Sequence, residues 1–182
     1  VSAQGGGTVL ISPGVYTLKK PVNLASHVKV KGSGKSTEIH LKFGTNTWNG
    51  FELKGRTVQK NIGYDSIRGN VIFLKTPLSD TSVRLIKFSY NDSHLMNNDW
   101  AYGSAGQLLA IKSINNKIVI LEDSVNLTEA KDKNIVFISI APIQHAAVEC
   151  MYIIRDDSAN GQASNISLEL AYNCQITGVE SN

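Results

Sequence analysis

The residues Gly32-Ser33-Gly34-Lys35-Ser36 spell the end of a phosphate-binding loop. Such a loop needs Gly-x-x-x-x-Gly-Lys-Ser/Thr, because its first glycine lets the backbone turn so that successive N–H groups encircle the phosphates. With Gly34-Lys35-Ser36 as anchor, that glycine belongs at position 29, which is Lys29. The loop must also open a helix, yet Ile39, Leu41 and Phe43 alternate with His40 and Lys42, a strand periodicity. The five residues therefore read as a turn between two strands, and no nucleotide partner is expected.

Arg155-Asp156-Asp157 brings a basic residue and two carboxylates together. Paired carboxylates can divide acid and base roles when their surroundings split their pKa values, which makes Arg155, Asp156 and Asp157 the catalytic candidates. Adjacent residues on a strand point to opposite faces, however. The alternative is a solvated Asp-Asp turn whose carboxylates accept backbone hydrogen bonds. A Ca²⁺ site would draw on Glu149, Asp156 and Asp157; hard-cation sites need at least about six oxygens, and nothing here fixes such a set. No cofactor motif is evident. His27, His40, His94 and His145 lack the spacing of a metal site, no serine lies in a Gly-x-Ser-x-Gly elbow, and Cys150 and Cys174 form neither a metal-ligand pattern nor a C-x-x-C pair.

The aromatic residues offer recognition rather than catalysis. Trp48 lies in "TNTWNG", and Trp100 and Tyr102 lie in "DWAYGSAG" beside Asp99. Aromatic faces stack on sugar C–H groups while neighbouring Asn and Asp bond hydroxyls, so Trp48, Trp100 and Tyr102 are the candidate substrate-binding residues. The alternative is that the two tryptophans plug a junction between substructures. Lys29, Lys31 and Lys35 would face outward as a contact for acidic sugars, or would simply keep a strand face solvated.

What must position these residues is a series of strands. The chain has 182 residues, 42% of them hydrophobic, enough to bury a real core. Its formal charge of +3 is small and dispersed, which argues against a nucleic-acid partner. No apolar run has the length of a membrane span. The start, "VSAQGGGTVL", shows neither an initiator methionine nor the regions of a signal peptide, as expected of a mature or trimmed chain. Short β-branched segments cut by Gly, Asn, Ser and Asp recur throughout, among them "SVRLIKF", "KIVILE", "NIVFISI" and "VECMYII". Asn115-Asn116 between "AIKSI" and "KIVIL" reads as an antiparallel hairpin turn, since Asn tolerates positive φ. Aligning "AAVECMYIIRDD" with "LAYNCQITGVES" places Cys150 on Cys174 and Val148 on Tyr172, and Val15 precedes Ile39 by the same interval. Self-similarity on strands at that period is what stacked β-coils produce, although a β-sandwich also repeats strands at short intervals.

The segment "GGGTVLISPGVYTLKKPVNLASHVKVKGSGKSTEIHL" resembles the opening coils of the right-handed parallel β-helix superfamily of pectate lyases and polygalacturonases. Gly-Gly-Gly-Thr-Val, Pro-Gly-x-Tyr, Asn-Leu-x-Ser-x-Val and a Gly-x-Gly turn follow in the family's order. "IIRDDSANGQASNISLELAYNCQITGVESN" is similar to later coils of the same family. The resemblance implies an all-β, single-stranded right-handed parallel β-helix, with first coils over 1–43, an inserted antiparallel β unit over 44–142, and further coils over 143–182 that continue in a longer protein. It implies a secreted protein, extracellular or at the cell surface, with a polysaccharide or cell-surface glycan as partner. Remaining coils or another chain would cover the open ends. Two functions stay open: a polysaccharide lyase or glycoside hydrolase whose catalytic set is incomplete in these residues, and a non-catalytic adhesin, tail-spike-like or surface structural shaft.

Overall fold

The computed structural model describes residues 2–95, 97–102, 104–126, 135–156 and 161–182, so Asp157 lies outside the described residues. The chain divides into two units, Val1–Gly55 with Ile143–Asn182, and Arg56–Pro142. The first unit begins with β1 (Gly7–Leu10), β2 (Gly14–Leu18), β3 (Val22–Asn23), β4 (Val28–Leu41) and β5 (Phe51–Lys54). The second holds β6 (Arg56–Gln59), β7 (Tyr64–Arg68), β8 (Val71–Leu74), β9 (Leu85–Ser89), β10 (Gly106–Asn115), β11 (Ile118–Leu121) and β12 (Val136–Ala141). The first unit resumes with β13 (Ile143–Gln144), β14 (Ala147–Arg155), β15 (Ile166–Glu169), β16 (Ala171–Tyr172) and β17 (Gln175–Ser181). The protein is thus mostly β, and its sheets are parallel in one unit and antiparallel in the other. No helix among the described residues is long and apolar enough to cross a membrane.

Three sheets of the first unit are purely parallel. The largest runs β1-β4-β14-β17, with β2 also on β4; the others are β3-β5-β15 and β13-β16. Alternation along the strands sets which residues are buried. Val28, Val30, Ile39 and Leu41 of β4 turn inward, and the last three join Val148, Met151 and Ile153 of β14 in one core cluster. Each such side chain contributes about 1.5–3 kcal/mol on burial.

The Gly32–Ser36 stretch is a corner inside the 14-residue β4. The first part of β4 pairs with β1, from Gly7↔Val28 to Leu10↔Lys31, and the last part with β2, from Gly14↔Thr37 to Leu18↔Leu41. Between them Gly34 takes φ +70. The Ser33 N–H donates to Thr37 Oγ1 at 2.9 Å, and the Ser36 hydroxyl donates to the Ser33 carbonyl at 2.8 Å. More strand follows the corner, where a phosphate-binding loop would open a helix.

The register corrects the expected stacking of the cysteines. β14 pairs with β17 as Val148↔Ile176, Glu149↔Thr177 and Met151↔Val179, which places Cys150 beside Gly178. Cys174 instead lies with its Sγ 3.6 Å from the Ile143 carbonyl oxygen, and both cysteines are free. Val148 consequently does not meet Tyr172, whose partner is Gln144. The reason is conformational: Cys150 and Gly178 both adopt positive φ, as do His145 and Asn173, so the left-handed corners set the register that the cysteines were expected to set. Likewise Val15 pairs with Glu38, and Tyr16 is the residue opposite Ile39.

Residues 44–55, expected in the insertion, belong to the first unit. Phe51 and Leu53 are buried in its core, and β5 pairs in parallel with β3 on one side and β15 on the other. The Gly55 amide donates to the Glu169 carbonyl at 2.8 Å, and the Ile143 amide donates to the Leu170 carbonyl at 3.1 Å.

The second unit is antiparallel, in the order β6-β12-β9-β10-β11-β8-β7. The expected hairpin joins β10 to β11: Asn115 pairs with Ile118, and Asn116 at the tip has φ +54. Phe88, Phe137 and Tyr64 interlock in its core, with ring centroids 5.7 and 5.1 Å apart.

Candidate functional site

The outward face of the β1-β4-β14-β17 sheet carries a row of charged side chains. Because Val28, Val30, Ile39 and Leu41 face the core, Lys29, Lys31, Glu38 and His40 face away. Cross-strand pairing sets Lys31 beside Glu149, Glu38 beside Tyr152 and His40 beside Ile154. Lys29 Nζ lies 2.8 Å from Glu149 Oε1, and Lys35 Nζ lies 2.9 Å from Glu180 Oε2. Two of the three lysines that could have met acidic sugars are therefore neutralised within the protein.

At the end of β4 the imidazole of His40 lies between two carboxylates. Its Nδ1 meets Asp156 and its Nε2 meets Glu38, while Lys42 Nζ is 3.6 Å from Asp156. A hydrogen bond to Asp156, and then one to Glu38, raises the His40 pKa above its ordinary value. The same His40 bond, first among several causes, holds the Asp156 carboxyl below its ordinary range. An imidazolium donating to both carboxylates satisfies this geometry. With its pKa lowered, Asp156 presents an ionised acceptor beside His40 and Lys42, suited to binding hydroxyls.

Arg155 and Asp156 make different contacts. The Arg155 Nε donates to Asn165 Oδ1, and one Nη donates to the carbonyls of Trp48 and Ser164, all at 3.1 Å. Its guanidinium lies 5.6 Å from the Phe43 ring centroid. The Phe43 ring in turn sits 6.0 Å from that of Trp48, which is 41% exposed. Arg155 thus fastens the segment that carries Trp48, while Asp156 faces His40.

In the second unit, Trp100 sits on a 3₁₀ turn, Asp99–Ala101, and is 86% exposed. The Tyr102 hydroxyl donates to the Asp99 carboxylate, which raises the tyrosine pKa. The Tyr102 amide closes the turn onto the Asp99 carbonyl at 3.2 Å. Downstream, the amide of Ala105 donates to the buried Asp92 carboxylate at 2.7 Å, which anchors the segment. The turn thus carries an exposed indole and, within two residues of it in the chain, a phenol hydrogen-bonded to a carboxylate.

His40 was passed over in the sequence because the four histidines were weighed for metal spacing. The informative signal was local: Glu38, His40 and Lys42 alternate on one strand face, although the partner Asp156 is remote in the chain. A cleft of about 610 Å³ at the start of the first unit, lined by Val9, Ile11, Leu18, Val22, Leu24 and neighbours, lies away from this chemistry. It is almost wholly apolar and lacks the convergent polar groups of a sugar site. Among the described residues, no group of three or more His, Cys, Asp or Glu could hold a metal ion.

No protein-family model matches the chain, and no curated protein does. Among solved structures the chain is similar to the tailspike gp61 of Pseudomonas phage phi297, with a TM-score of 0.66 at 13% identity over 99% of this chain and 30% of that one. It is similar to the gp54 tailspike of Acinetobacter baumannii bacteriophage AP22, solved in complex with A. baumannii capsular saccharide, with a TM-score of 0.61 at 13% identity over 98% and 30%. The tailspike gp49 of Pseudomonas phage LKA1 gives 0.62 at 13% identity over 95% and 31%. At this identity the likeness is one of fold, and the chain spans about 30% of the length of these proteins.

Proposed function

We propose that this chain is part of a tailspike-like protein whose parallel strands wind as a single-stranded right-handed β-helix, and that it binds a bacterial surface polysaccharide outside the cell. The observation that carries the reading is Trp100, 86% exposed beside Tyr102 and Asp99. An accessible indole offers a flat face for sugar C–H groups, and the neighbouring Asp99–Tyr102 pair offers hydrogen-bonding groups for hydroxyls. The likeness to tailspikes supports it, as does the capsular saccharide bound by one of them. Trp48, and the Glu38–His40–Asp156 row, are further saccharide contacts in the first unit.

The test is binding of the purified chain to a panel of bacterial capsular polysaccharides by biolayer interferometry. Trp100→Ala should weaken the positive interaction by about tenfold, the loss of roughly one stacking anchor, with the fold unchanged by circular dichroism. Equal binding by Trp100→Ala would refute the assignment of the site. One observation favours a second reading, cleavage by a hydrolase or lyase: the imidazole held between two carboxylates. Release of reducing or unsaturated ends by the wild-type chain, abolished in His40→Gln, would establish it in place of simple binding.

A further inference from the structure

We propose that His27 and His145 form a two-imidazole site for a late first-row divalent cation, Zn²⁺, Ni²⁺ or Cu²⁺. The rings stack with centroids 5.1 Å apart and planes 25° from parallel. Both residues adopt left-handed φ, 63° and 52°, and both are exposed. Main-chain bonds hold the two corners in line: the Gly7 amide donates to the His27 carbonyl at 2.8 Å, the His27 amide to Gln144 at 2.8 Å, and the His145 amide to Tyr172 at 3.2 Å. The Gln144 amide also donates to Ser26 Oγ at 3.0 Å. The two Cα positions are thus fixed while the rings remain free to turn.

The contrast with His40 identifies these rings as ligands. Both nitrogens of His40 are engaged by carboxylates. Among the described residues, the imidazoles of His27 and His145 contact one another and carry no hydrogen bond to a protein group. Their ring nitrogens are therefore available to an external ligand, and imidazole is a common metal ligand. With metal–nitrogen bonds of about 2.0–2.1 Å, tetrahedral coordination places two nitrogens roughly 3.3 Å apart. Because imidazole lone pairs lie in the ring plane, the two rings must turn out of their stack, about their side-chain torsions, to aim one nitrogen each at a shared ion. Imidazole suits Zn²⁺, Ni²⁺ and Cu²⁺, with Cu²⁺ held most tightly, and excludes Ca²⁺ and Mg²⁺, which require oxygen. Water completes the coordination. Because the two ligands come from successive parallel turns of chain, the bound ion clamps one to the next.

The test uses the untagged chain, with Cu²⁺ and Ni²⁺ as probes. Electron paramagnetic resonance of the one-to-one Cu²⁺ complex should show two equatorial imidazole nitrogens, and calorimetry should give one Ni²⁺ per chain. His27→Asn and His145→Asn keep a side chain that tolerates left-handed φ. Each should reduce the nitrogen count to one and weaken Ni²⁺ by about tenfold or more, because chelation makes the second bond intramolecular. His94→Asn should leave both readings unchanged. Two-nitrogen coordination that survives in the folded His27→Asn, His145→Asn double variant would overturn the proposal, as would failure of the wild-type chain to bind either ion.

Discussion

Replacing Gly32 by alanine should destabilise the first unit although no active group is touched. A Cβ at this position would lie 2.5 Å from the Cys150 carbonyl oxygen, 2.8 Å from Thr37 Cβ and 2.9 Å from Thr37 Cγ2. Ordinary carbon contacts sit at about 3.5–4.0 Å. The carbonyl belongs to β14, the neighbour of β4, and Thr37 is fully buried with its hydroxyl donating to Ser12 O at 3.3 Å. Neither neighbour can retreat without opening the ladder between β4 and β14 or that bond. Overpacking costs about 1–3 kcal/mol, and a weakened Thr37 bond adds about 1 kcal/mol. The loss of glycine's freedom in the unfolded chain returns about 0.4–1 kcal/mol. A net loss of about 1–3.6 kcal/mol follows, or roughly 2–14 °C in Tm for a chain of this size. The two units need not unfold together, so the assay is hydrogen exchange resolved to peptides. Protection should fall in residues 28–41 and 147–155 and hold in 106–115. Lys35→Ala should leave the same peptides unchanged, because Lys35 and Glu180 are 74% and 55% exposed and their pair is screened by solvent. Wild-type stability in Gly32→Ala, or a greater loss in Lys35→Ala, would refute the packing role assigned to this glycine.

His40→Gln should alter the pH dependence of stability. The folded His40 pKa stands above 6.5, so its contribution is complete below 6.5 and disappears as pH rises through the raised value; the Asp156 pKa stands below 3.8, so its contribution is present above 3.8 and lost as pH falls through the lowered value. At low salt, wild-type Tm should decline on the alkaline side of 6.5 more steeply than that of the variant, and parallel melting profiles would contradict the ion-pair account. Mild oxidation of the folded chain should produce no Cys150–Cys174 bridge, because Cys150 neighbours Gly178; mass spectrometry detecting that crosslink at native β content would count against the register. Gly106→Ala should cost about 3 kcal/mol or more, since its Cβ would come within 1.9 Å of the Phe88 carbonyl oxygen in the β9–β10 ladder, and wild-type urea stability would show that the strands can part there.

The features legible in the sequence were those governed by local chemistry. Alternation around Val28 and Val30 identified the buried face of β4, and the tolerance of Asn for positive φ located the β10–β11 hairpin. Register was harder, because identical side chains drew the alignment to Cys150 and Cys174. The pairs that matter, Cys150 with Gly178 and His145 with Asn173, share a backbone conformation but no chemistry, and only glycine and asparagine advertise it. The unit boundary was misplaced because Phe51 and Leu53 form a strand of only four residues, too short to display a period. The candidate sites divide the same way. The exposed aromatic turn at Trp100 could be read from "DWAYGSAG", whereas Arg155 and Asp156 looked like one group until strand geometry turned them apart.

The amides of Gly55 and Ile143 reach the carbonyls of two consecutive residues, Glu169 and Leu170. In the first unit, the chain therefore stops and restarts at adjoining rungs, as though Arg56–Pro142 were spliced into an otherwise continuous set of parallel strands. Such a junction demands little of what it carries, since an insert whose ends meet can change length or identity without disturbing the host's hydrogen bonds. Insertions or replacements between residues 56 and 142 should therefore leave the parallel ladders of the first unit intact. Variation in length and sequence would then concentrate between residues 56 and 142, while the flanking ladders stay constrained by their neighbours.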